Sequence, residues 1–159
     1  MSQSTVTQLG QGMYFEDFTV GQKLQSVGRT IFDADLCAFI NVTHMNEVLF
    51  TDQEYVARES VMKGRVVPGA LSYAFAEGLV IVASIQQTGM AFLNMELDIA
   101  NPAFVGDTIH VELETIEARR SKTYPDRGLV RTRNKVVKQD GTLVLTYTPL
   151  RMVKARTRG

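Results

Sequence analysis

Hydrophobic and polar positions change rhythm once along this chain. In "GALSYAFAEGLVIVASI", residues 69–85, apolar residues crowd every turn and Glu77 is the one charged side chain. That pattern predicts a helix of about 15 residues buried nearly all round. Pro68-Gly69 in front of it reads as a turn. After Gly89 the rhythm shortens to alternation, and "MAFLNMELDI", "DTIHVELETIEARRS", "GLVRTRNKVVKQDG" and "TLVLTYTPLRMV" predict strands. "NPAFVGD" and "KQDG" predict turns, the second a hairpin through Asp140-Gly141.

Upstream of the helix, "LQSVGRTIF" predicts a strand. "DADLCAFINVT" predicts a helix with Asp33 as its N-cap and Leu36, Phe39 and Ile40 on one face, with Cys37 as a small core residue in that face. "DQEYVARESV" predicts a short helix capped by Asp52, with Tyr55 and Val56 inward. One long buried helix followed by a run of long antiparallel strands is an α+β architecture. A sheet wrapped around one central helix is the hotdog arrangement.

Composition narrows the function. The 159 residues fit one domain, and a 45% hydrophobic content can fill its core. Lys+Arg and Asp+Glu are both 17, so charge gives no case for nucleic acid or an anionic membrane as partner. The closing "RMVKARTRG" has four basic groups and no acid, and reads as a solvated charge run. A single cysteine excludes an intrachain disulfide, and with two scattered histidines it offers no metal-ligand spacing. The polar "MSQSTVTQLGQG" lacks the apolar core of a signal peptide, and the longest apolar run, which contains Glu77, is too short to span a bilayer. The expectation is a soluble, cytoplasmic protein with a flexible arm at 1–12, a domain at 13–153 and a basic tail at 154–159.

The pieces "YFEDFTVGQ", "RTIFDADLCAFINVT", "DQEYVARES", "RVVPGALSYAFAEGL", "NPAFVGDTIHV" and "GLVRTRNKVVKQDG" run in an order and spacing that resemble the MaoC-like dehydratase family, which includes (R)-specific enoyl-CoA hydratases. The resemblance covers about residues 14–153. It implies a single hotdog, a homodimer, no bound cofactor, and acyl groups held as CoA or carrier-protein thioesters as ligands. The family's hydratase loop reads S-G-D-x-N-P-L-H-x-D. Laid without gaps on "THMNEVLFTD", it puts the catalytic Asp on Met45 and the catalytic His on Phe50. Its Gly falls on His44, its Asn on Glu47, its Pro on Val48 and its last Asp on Asp52.

Hydration needs a base to activate water and an acid to protonate carbon. A thioether and a phenyl ring supply neither, so Met45 and Phe50 read as lining for an acyl pocket or as plain packing. Three readings stay open. A relocated dyad would use His44 and Glu47. A thioesterase would use Glu77, eight residues after Gly69, as nucleophile or base. A binding module would hold thioesters without turning them over. In each, the unpaired N–H groups at Gly69 and Ala70 are candidates to hold a thioester oxygen. His110 reads as a sheet-face residue. Lys122, Tyr124 and Arg127 lie in a loop that either meets a CoA phosphate or is a solvated hairpin tip.

Overall fold

The computed structural model describes residues 8–156. The stretch "LQSVGRTIF" forms two short strands, β1 (Lys23–Gln25) and β2 (Arg29–Thr30). The break falls where Ser26 turns its hydroxyl back to accept from the Val111 N–H at 2.9 Å. Helix α1 (Asp33–Thr43) buries Leu36 and Ile40, with Phe39 packed beside them. Asp33 is not its N-cap. Phe32 holds that position, and the carboxylate of Asp35 accepts from the Phe32 N–H at 2.9 Å. Asp33 pairs instead with Arg65 at 2.7 Å. Cys37 is exposed rather than in the core. One residue past Leu36 turns it about 100° away from the buried face, toward Asp33 and Arg65.

Two short helices follow, α2 (Val48–Thr51) and α3 (Gln53–Arg58). Asp52 caps α3 as expected, accepting from the Tyr55 N–H at 2.9 Å, and Val56 is buried. Strand β3 (Val66–Val67) leads into the central helix α4 (Gly69–Val80), which ends in a π-helical turn at Ile81–Ile85. Leu71, Ser72, Ala76 and Val80 face the core. The helix is not buried all round, because the sheet covers only part of it. Ala70, Ala74, Gly78 and Val82 form an exposed stripe of mainly small residues.

The remaining strands are β4 (Gly89–Asn94), β5 (Leu97–Ile99), β6 (Ala103–Phe104), β7 (Thr108–Arg120), β8 (Arg127–Lys138), β9 (Leu143–Tyr147) and β10 (Leu150–Lys154). The turn-like "NPAFVGD" therefore contains β6, which pairs with β3, before Gly106 turns the chain at φ 96°. The main sheet is antiparallel throughout. Its order is β1-β7-β8-β10-β4, with β2 also on β7 and β9 between β8 and β5. Gly141, at φ 86°, closes the β8–β9 hairpin that Asp140-Gly141 predicts. Alternation on β7 and β8 sends Ile109, Val111, Leu113, Val130 and Val136 inward; of these, Ile109, Val111, Leu113 and Val136 pack with the buried face of α4 and with Leu36 and Ile40 of α1. This is the α+β hotdog.

Three features mark the sheet edge and the two ends of the domain. All six residues of β4 are exposed, and its outer edge has no strand partner among the described residues. At the start, the N–H groups of Gly12 and Met13 donate to Gln86 and Ser84 carbonyls at 2.8 and 2.7 Å. At the end, "RMVK" is not a solvated run: it lies in β10, Arg151 is buried, and Arg156 pairs with Asp17 at 2.7 Å. Residues 1–7 of the expected arm and 157–159 of the expected tail lie outside the described residues.

Candidate functional site

The start of α4 is the natural place for a polar ligand group. Pro68 sits at the N-cap position, where it offers no side-chain acceptor, and its carbonyl accepts from Leu71 and Ser72 N–H at 3.0 and 3.2 Å. The N–H groups of Gly69 and Ala70 are left without a partner among the described residues. Their partial positive charge adds to that of the helix dipole. Gly69 is packed closely: a Cβ there would run into Ile99 Cδ1.

A cleft of ≈ 290 Å³ opens at this helix start. Gly69, Phe50, Met62, Ser72, Ile99 and Pro102 are among the residues that line it. Ser72 is 1% exposed, and its hydroxyl has no hydrogen-bond partner among the described residues. Phe50 and Leu49 also wall a neighbouring cleft of ≈ 410 Å³, toward Asp52, Lys63 and Arg65. Phe50 thus stands between two cavities. Its carbonyl is held by Arg65 Nη1 at 2.9 Å, which anchors α2 to β3.

Other loop residues lie outside this lining. His44 ends α1 in the left-handed conformation at φ 57°, and its side chain is exposed. Glu47 occupies the N-cap position of α2 and is also exposed. Met45, between them, is 37% exposed. The structure thus brings Phe50 and Gly69 together, with Ala70 next along the helix, and sets His44, Met45 and Glu47 on the outer side of the loop.

Glu77 has a different setting. Both of its carboxylate oxygens accept from Arg151 Nη2, at 2.6 and 2.5 Å, and Oε2 also accepts from the Tyr147 hydroxyl at 3.1 Å. Tyr73 packs edge-on against Tyr147, with ring centroids 5.2 Å apart. Burial pushes the Tyr147 hydroxyl pKa well above the ordinary phenol value, and the negative charge of Glu77 adds to the rise. Tyr147 is therefore a neutral donor. No signal in the sequence identified Arg151 and Tyr147 as partners of Glu77, because 74 and 70 residues separate them from it.

The remaining candidates are peripheral. His110 is half-buried on β7 with Glu112 3.7 Å away. Arg127 pairs with Asp126 and lies over the Tyr124 ring at 4.4 Å, so the Lys122–Arg127 segment is a hairpin tip tied to itself. Among the described residues no three His, Cys, Asp or Glu side chains cluster to hold a metal ion, and no helix is long and apolar enough to cross a membrane.

Comparison with known proteins returned a family model described as MaoC like domain, matching residues 16–139. The chain is 28% identical to the MaoC-like dehydratase from Rhodospirillum rubrum, with a TM-score of 0.81 over 92% of this chain and 100% of that one. It is 26% identical to an R-hydratase from Pseudomonas aeruginosa, with a TM-score of 0.75 over 91% of this chain and 88% of that one. A conserved hypothetical protein from Mycobacterium tuberculosis with a double hotdog fold aligns with a TM-score of 0.83 at 24% identity, over 96% of this chain and 47% of that one. No curated protein sequence gave a significant match.

Proposed function

This chain belongs to the MaoC-like domain family, and from that premise we propose that it binds acyl groups carried as CoA or carrier-protein thioesters, without the family's hydration chemistry. The observation that carries the reading is the cleft at Gly69. It joins an uncapped helix start to an apolar wall in which Phe50 stands where the family loop has its catalytic histidine. The thioester oxygen accepts from the Gly69 and Ala70 N–H groups, and Phe50 lines the cavity beside it. Met45, at the Asp position, supplies no acid or base.

The two catalytic alternatives have less support. His44 and Glu47 lie outside the cleft lining, so a dyad there would need a different loop path. Glu77 is committed to Arg151 and Tyr147, and a carboxylate engaged in this way is a poor nucleophile. It is also about 12 Å from the Gly69 of its own helix at 1.5 Å per residue, so a thioesterase would have to join Glu77 to the Gly69 of a second copy.

The assembly proposed is a cytoplasmic homodimer. The exposed, unpaired β4 edge is an invitation to strand pairing, and a second copy is the simplest partner for it. The free, exposed Cys37 suits a reducing compartment. The test of binding is thermal: acyl-CoA at about 100 times Kd should stabilise by about 2.7 kcal/mol, a shift of roughly 5–10 °C for a chain of this size. No shift with short, medium and branched acyl-CoAs would overturn the proposal.

A further inference from the structure

The cleft at Gly69, of ≈ 290 Å³, and the cleft of ≈ 410 Å³ beside it have two wall residues in common, Leu49 and Phe50 of α2. The segment leading into β3 borders both, with Met62 and Val66 on the first and Lys63, Gly64 and Arg65 on the second. Neither cleft is lined by a residue of β4, the strand assigned to the homodimer. The shared wall is held by its backbone. Arg65 Nη1 donates to the Phe50 carbonyl at 2.9 Å, and the Phe50 N–H donates to the Glu47 carbonyl at 2.9 Å. The half-buried Phe50 side chain packs against the main core.

The second cleft suits an acyl tail rather than a phosphate. Leu49, Phe50, Val56 and Ala57 give it apolar walls. Its charged groups are already engaged. Lys63 Nζ donates to the Val56 and Ala57 carbonyls at 3.3 and 3.0 Å, Arg65 pairs with Asp33, and Asp52 accepts from the Tyr55 N–H. Ligand pockets usually measure about 300–1,000 Å³. The Gly69 cleft alone lies at the bottom of that range, enough for a thioester and a short chain; joined to its neighbour it would fall well inside the range.

We infer that the protein selects short acyl thioesters, and that the Phe50 ring sets the limit by closing the Gly69 cleft against the apolar cleft beyond it. The inference rests on the thioester reading and adds the class of acyl group. A short chain ends against the ring, with its methylenes removed from water. A longer chain must turn back into water, where its added methylenes gain nothing, or push the ring out of its core contacts.

Titration calorimetry of straight-chain acyl-CoAs, from butanoyl to dodecanoyl, against the full chain tests this. In wild type, affinity should rise about fourfold per buried methylene and level off by octanoyl-CoA. In Phe50→Ala the rise should continue past octanoyl. Phe50→Leu, which keeps apolar packing against the core, should show the same extension and serves should Phe50→Ala not fold. Adding Ala57→Phe to Phe50→Leu fills the second cleft and should restore the wild-type limit. A wild-type affinity that climbs unbroken to dodecanoyl-CoA overturns the inference and leaves thioester binding standing. So does a limit unmoved in Phe50→Leu, or one that Ala57→Phe fails to restore. If no member of the series binds wild type, thioester binding fails and this inference with it.

Discussion

Removing one half of the Glu77–Arg151 pair should destabilise the fold far more than removing both. The side chains are 13% and 7% exposed, so water does little to screen or replace the interaction. Arg151→Met leaves the Glu77 carboxylate buried with only the Tyr147 hydroxyl as donor. Stranding a buried charge in this way costs about 3–5 kcal/mol. Glu77→Gln leaves the guanidinium without a counter-charge, but the carboxamide oxygen still accepts, so about 2–3 kcal/mol is expected. The double variant loses charge and counter-charge together and keeps similar volume. It should fall within about 1–1.5 kcal/mol of wild type. The coupling energy of the cycle is then about 3.5–8 kcal/mol, far above the few tenths found between independent sites. In a chain of this length each kcal/mol moves Tm by about 2–4 °C, so Arg151→Met should melt roughly 6–20 °C below wild type. Urea and thermal unfolding at one fixed protomer concentration measure the cycle, since dimer dissociation would otherwise enter the result. Single variants within about 1 kcal/mol of wild type, or a double variant equal to the sum of its parts, would refute the argument.

Three further outcomes are expected. Burial opposes ionisation of Asp107, but Lys138, the Phe104 N–H and Gln139 outweigh it and hold the carboxyl below the ordinary Asp range. Its stabilisation is therefore complete above the unfolded pKa, about 4, and is lost as pH falls through the lower folded value. Asp107→Asn should cost about 1–3 kcal/mol at pH 7, and the gap from wild type should close toward pH 3; an undiminished gap there would contradict this. Wild type should show negligible hydration of crotonyl-CoA, since each missing acid–base group is typically worth about 10²–10⁴-fold. Robust turnover abolished by His44→Ala or Glu47→Ala would establish a relocated dyad instead. Light scattering at micromolar concentration should give a dimer mass, and Leu93→Lys on the exposed β4 strand should shift it toward monomer; a monomer mass in wild type would defeat the β4 pairing.

The parts of this structure legible in the sequence are those set by local rules. Alternation found β7 and β8 because each strand has one dry face, and Asp140-Gly141 marked its hairpin because φ 86° at Gly141 needs glycine. Asp52 was legible as a cap because its partner, the Tyr55 N–H, is three residues away. Errors arose where a distant element decided the outcome. Asp33 has the right residue type for a cap, but Arg65 claims its carboxylate while Asp35 takes the cap's role. Cys37 has an apolar neighbourhood in sequence and an ionic one in space. Arg151 reads as part of a basic run, yet Glu77 draws it inside.

The same distinction separates the two halves of the candidate site. The donors at Gly69 and Ala70 are backbone groups, so they require a helix that starts there and nothing of its side chains beyond room to approach. Pro68-Gly69 is enough to specify that start without any neighbour. The loop at residues 44–52 is different, because its chemistry depends wholly on side-chain identity. On the proposed reading Met45 and Phe50 stand at the acid and base positions, and Arg65 holds the Phe50 carbonyl while Asp52 caps α3. Neither of those backbone supports depends on the side chains at 45 and 50. A fold that fixes oxygen recognition in its main chain and proton transfer in a replaceable loop can lose turnover and keep binding. The cleft at Gly69, walled by Phe50, is the arrangement that such a loss would leave.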